Sequence, residues 1–122
     1  MEEGPRVGHL GEGGMKELED AWVEVLAHVY AQVRWSRIRG RRHLDVFEHR
    51  LEYAKYEPDV PSALQRLANA LSLQGVNVPL DKVELLRARE VEAMEVLRRW
   101  TKLLALKAQT RAKELKKKEA GP

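Results

Sequence analysis

From Met15 onward, apolar side chains recur at every third or fourth position: Met15, Leu18, Trp22, Val25, Leu26, Val29 and Val33. On a helical wheel they share one broad face, with Glu17, Glu24, His28 and Ala31 opposite, and this predicts an amphipathic helix. The helix runs into an arginine-rich segment in which Gly40 is the candidate residue just past its end. Asp45 with Glu48 three positions on resembles a capping box and opens a second helix, with Leu44, Phe47, Leu51 and Ala54 as its inner face. Glu57-Pro58 ends it. The spacing also continues through Val33, Ser36, Gly40, Leu44 and Phe47, so one kinked helix over 15–56 is the alternative to a break.

Asp59-Val60-Pro61-Ser62 signals a third start, with Asp59 as the N-cap and proline in the first turn. Leu64, Leu67, Ala68 and Leu71 supply its stripe, Gly75 closes it, and Gly75 to Leu80 connects onward. Asp81-x-x-Glu84 starts a last helix with no breaker before Gly121. Its seam is Val83, Leu86, Ala93, Leu97, Trp100, Leu104, Ala108 and Leu115. Helical from Lys82 to Leu115, it would reach roughly 50 Å, longer than a domain of this size is wide. No sustained two-residue alternation and no long repeat occurs. The pattern therefore predicts an all-α fold, a small four-helix bundle-like domain with a long basic C-terminal helix. The expected core is Trp22, Val25, Val29, Phe47, Leu51, Leu67, Leu71, Leu86, Leu97 and Trp100.

Residues 1–14 stand apart, with five of the eight glycines of this 122-residue chain. They read as a flexible leader to a helical domain over 15–108, followed by a basic helical extension and tail over 109–122; Met15 is an alternative start. Gly8-x-x-Gly11-x-Gly13-Gly14 lacks the preceding strand and the Gly-Lys-Ser/Thr of a phosphate loop. A mean hydropathy of −0.53 with 43% hydrophobic residues describes a soluble globular chain rather than a disordered one. With no cysteine, disulfides, thiolate metal sites and cysteine nucleophiles are excluded. The least charged stretch, Ala21 to Val33, is too short to span a bilayer, and no secretory signal is visible, so a cytoplasmic location is the default expectation. Thirteen arginines beside two asparagines and four glutamines suggest adaptation to heat.

Charge changes the picture most. The formal balance, 22 basic against 19 acidic residues, is only +3, but it is unevenly placed. Arg34, Arg37, Arg39, Arg41 and Arg42 occur without an acid among them, and Trp35 falls on the polar side of the first helix. Guanidinium groups pair with phosphate through two N–H donors, and an exposed indole stacks on a base. The same residues also suit a helix C-terminus and its dipole. The last helix repeats the asymmetry. Glu84, Glu90, Glu92 and Glu95 precede Lys102, Lys107, Arg111, Lys113, Lys116, Lys117 and Lys118, a distribution that suits the macrodipole and also binds polyanions by counterion release.

The expectation is a non-catalytic protein that associates with nucleic acid, RNA or DNA, or with a nucleoprotein complex. Arg34, Trp35, Arg37, Arg39, Arg41, Arg42, Lys102, Lys107, Arg111 and Lys113 are the candidate contacts. In size and helicity the chain resembles the small helical subunits of CRISPR effector complexes. The alternative is an adaptor or homo-oligomer that presents Leu97, Trp100, Leu104 and Ala108 to a partner helix. Neither reading needs a cofactor, a metal or a membrane.

Other chemistry finds less support. Asp45, His49 and Glu52 share one face, as do Glu24 and His28, but both sets lie opposite their apolar faces and do not converge as a metal site requires. No serine sits in a nucleophile elbow. Leu67-Ala68-x-x-Leu71 followed by Val83-x-x-Leu86 has helix-turn-helix spacing, with a long connector and an acidic second helix, and two packed helices explain it as well. Arg37-x5-His43 and Arg42-x6-His49 resemble the Arg-x(4–6)-His motif of HEPN-type helical ribonucleases. That resemblance implies a helical fold in which the arginine and histidine act on a scissile phosphate.

Overall fold

The structure, a computed structural model, describes residues 15–37 and 42–120. Over these residues the chain is all-α: α1 (Met15–Gln32), a 3-10 turn (Trp35–Arg37), α2 (His43–Ala54), α3 (Val60–Ala70), α4 (Leu80–Ala88), α5 (Glu90–Arg99) and α6 (Thr101–Ala120). Residues 1–14, Gly40 and Gly121, for which the sequence carries expectations, lie outside the described residues.

α1 is the central helix. Its buried residues, Leu18, Ala21, Trp22, Val25, Leu26, Ala27, Val29 and Tyr30, exceed a single stripe because α4, α5 and α6 all pack on it. The most extensive pairing is with α6, whose Leu104, Ala105, Ala108 and Ala112 are fully buried. Three alanines in that row let the two helices approach closely, and Trp22 fills the space beside them. Its indole N–H donates to the Ala93 carbonyl of α5 at 2.8 Å, so the largest core side chain leaves no polar atom unpaired. α2 packs on α3 and α6 through Phe47 and Leu51.

The chain does break after α1, in favour of two helices rather than one kinked one. α2 starts at His43, and Asp45 is not its cap: the Asp45 carboxylate instead takes both donors of Arg42 at 3.0 Å. Asp59 caps α3 as its sequence implies, accepting from the Ser62 N–H at 2.8 Å. The first N–H of that helix, on Val60, donates to the Glu90 carboxylate of α5 at 2.8 Å. α3 ends before Gly75. Leu73 N–H donates to the Ala68 carbonyl and Ser72 N–H to the Asn69 carbonyl, a Schellman arrangement. Ser72 occupies its left-handed position with φ 61°.

The single long C-terminal helix expected from the seam is three helices, so the four-helix count becomes six among the described residues. Arg89 and Trp100 leave helical geometry, yet Ala93 N–H still reaches the Arg89 carbonyl and Leu104 N–H the Trp100 carbonyl. Each break is one residue wide: the cap residue leaves helical geometry, and its carbonyl accepts the first bond of the helix that follows. At Trp100 the cause is local. Buried Thr101 donates its hydroxyl to the Leu97 carbonyl at 2.6 Å, a back-bond that bends helices. At Arg89 the side chain is drawn two ways, to Glu92 and to Glu17 of α1. The kinks fold the run back over α1, and α6 alone, roughly 30 Å long, matches the width of the domain. Its burial persists to Ala112, with Leu115 half-buried.

Candidate functional site

α6 carries cations on both of its flanks, and α1 treats the two flanks differently. On one, Lys107 meets Glu19 at 3.3 Å, and Arg111 donates from Nε to Glu24 at 2.6 Å and from Nη1 to Glu114 at 3.0 Å. Hydrogen bonding to Glu24 and Glu114 pushes the Arg111 guanidinium further above its already high pKa. These two predicted contacts are neutralised within the chain. Glu24, expected to face water, faces α6 instead.

Lys102, Gln109, Lys113 and Lys116 succeed one another at i, i+7, i+11 and i+14, which places them along the other flank, with Lys117 beside them. These lysines are exposed, and among the described residues none has an acidic partner. Gln109 identifies what lies next to that flank. Its amide donates to the Tyr30 hydroxyl at 3.1 Å, and the Tyr30 ring stands 4.6 Å from the ring of Trp35. Burial raises the Tyr30 pKa, against the smaller effect of the Gln109 bond. The arginine-rich turn after α1 is thus joined, through Tyr30, to the unneutralised side of α6.

Trp35 is only 7% exposed and does not present a face for stacking on a base. Its indole N–H donates to the Tyr30 carbonyl at 3.0 Å, and its ring lies flat on His43 at 4.9 Å and edge-on to Phe47. It anchors the turn. Arg34 and Arg42 are exposed beside it, Arg42 already bound by Asp45 and raised in pKa by that hydrogen bond. Arg39 and Arg41 lie outside the described residues, as does the side chain of Arg37.

The expected partner seam is occupied by the chain itself. Leu97, Leu104 and Ala108 are fully buried in its own core. Trp100, expected in the core, is 41% exposed because the kink rotates it off the seam. With Leu103 and Leu106 it forms an outward apolar row that periodicity alone did not indicate.

The histidines fall in separate places. His43 stacks on Trp35, whereas His49 packs edge-on against Tyr53 and lines a groove between α2 and α3. Among the described residues no three His, Asp or Glu side chains gather as metal ligands, and no helix is long and apolar enough to cross a membrane. Comparison with family models, with curated proteins and with solved structures finds no match, so the arrangement of these residues is what bears on function.

Proposed function

We propose that the protein binds the backbone of a nucleic acid along the unneutralised flank of α6 and the adjoining Arg34 turn, as a non-catalytic component of a nucleoprotein assembly. The sorting of cations carries this reading. A solvated basic helix would leave both flanks alike, whereas here the acids of α1 silence Lys107 and Arg111 and leave Lys102, Lys113, Lys116 and Lys117 free. From Lys102 to Lys116 the flank extends about 21 Å, the axial rise of about six base pairs of duplex. Four lysines and Arg34 on phosphates give a log–log salt slope of about −3.5 to −4.5, largely indifferent to sequence.

The test is electrophoretic titration with single-stranded and duplex RNA and DNA at two salt concentrations. K113E/K116E/K117E should abolish binding at micromolar protein, and Arg111→Gln should leave it within about twofold. Absence of salt-dependent binding by the wild type overturns the proposal. Cleavage of the RNA during the titration would favour the ribonuclease reading instead.

The outward row on α6 supports a second reading, a protein partner or second copy docked on Trp100, Leu103 and Leu106. These are among the exposed large apolar residues, at 41%, 37% and 49%. Leu106→Asp should then lower the sedimentation coefficient of any self-associated species, and an unchanged monomer in both proteins would remove this reading.

A further inference from the structure

The groove between α2, the end of α3 and the end of α1 is distinct from the α6 flank. It encloses about 880 Å³, and its polar lining includes Arg34, His49, Arg50, Ser72 and Gln74, with no Asp or Glu. Arg50 is half-buried, and its Nε is buried without a hydrogen-bond partner. No acid pairs with Arg50 among the described residues. A guanidinium N–H withdrawn from water and left without an acceptor is unfavourable unless something completes it.

The ends of α1 and α3 border this groove and bring partial negative charge, about half an elementary charge each. Together they offset about one of the two guanidinium groups. The groove therefore keeps a net positive charge, set beside an apolar wall of Val33, Val46 and Leu73. A forked donor suits a phosphate oxyanion, and an apolar wall suits a flat ring. The volume falls within the range of small-molecule sites.

We propose that this groove binds a nucleotide, with its phosphate on Arg50 and Arg34 and its ring against Val33, Val46 and Leu73. The nucleotide could be free or the phosphorylated end of a strand, and the chemistry recognised is the same. The site shares Arg34 with the α6 reading but rests on Arg50, which that reading does not use.

Calorimetric titration of the full chain with the four ribonucleoside 5′-monophosphates, and with one oligonucleotide carrying either a 5′-phosphate or a 5′-hydroxyl, tests it. At least one monophosphate should bind, or the 5′-phosphate should strengthen oligonucleotide binding. Arg50→Gln should weaken that binding about tenfold or more and Arg50→Lys less, because the fork is lost while the charge remains. K113E/K116E/K117E should leave monophosphate binding within about twofold, which separates this site from the flank. A preference for the free nucleotide or for the strand end identifies the source. If the wild type shows neither binding nor a 5′-phosphate preference, or if folded Arg50→Gln binds as well as wild type, the proposal is overturned. Should Arg50→Gln fail to fold, Arg34→Gln decides by monophosphate binding alone, since the α6 flank shares Arg34: a loss of about tenfold supports the groove and unchanged binding overturns it.

Discussion

Ser72 stands where a helix C-terminus ordinarily places glycine. Its φ of 61° puts a Cβ in the left-handed region, which costs a non-glycine residue about 1 kcal/mol. Ser72→Gly should therefore raise stability, by up to about 1 kcal/mol after the added freedom of glycine in the unfolded chain is offset, as read by urea denaturation. Arg50 holds a second local cost. Arg50→Met removes the unpaired buried Nε while keeping much of the packed stem, and should raise stability by about 1 kcal/mol. If the groove is a binding site, that same variant loses its ligand, the familiar opposition between a stable site and a functional one. Both features lie beyond periodicity. Gly75 looked like the terminator because glycine usually is, and nothing in the sequence marks Arg50 among thirteen arginines. The tryptophans show the same limit. A helical wheel placed Trp35 on the polar side, but α1 ends at Gln32 and the wheel no longer applies three residues later.

At the scale of elements, local signals that act within a few residues were legible. Asp59 caps α3 and Pro61 sits in its first turn, whereas the preceding helix already ends at Ala54, ahead of the expected Glu57-Pro58 stop. What failed was continuity, since the kinks at Arg89 and Trp100 need neither glycine nor proline. The one at Trp100 coincides with Thr101 bonding to the Leu97 carbonyl, and at Arg89 the side chain pairs with Glu92 and with Glu17 of α1, the second a tertiary contact. The cap makes a pH prediction. The Ser62 backbone and side-chain hydrogen bonds hold the Asp59 pKa below its ordinary 3.8. A carboxylate depressed on folding stabilises the protein above its unfolded pKa, and that contribution fades as pH falls through the folded value. Melting midpoints measured downward from about pH 5 should thus fall less steeply in Asp59→Asn, which keeps an acceptor but no titrating group. Asp59→Ala should lower the midpoint at neutral pH as well. Equal acid slopes in wild type and Asp59→Asn would show that other carboxylates govern the acid limb.

Across the whole molecule, a net charge of +3 conceals an arrangement that only the packing of α1 against α6 reveals. The sequence marked every lysine of α6 as a candidate. Which flank stays positive depends on Glu19 and Glu24, some 87 to 88 residues distant, and no spacing rule within α6 reports that. The arrangement also separates stability from binding along the helix. Packing persists to Leu115, and the three lysines that follow are exposed. Truncation after Leu115 should leave the melting midpoint within about 2 °C of the full chain, because no buried apolar surface is lost. On nucleic acid it should make the salt slope shallower by about 2, from Lys116 and Lys117 on the unneutralised flank. A slope that does not change would confine the phosphate contacts to Lys102, Lys113 and the Arg34 turn, the exposed cations that remain on the Tyr30 side of α6.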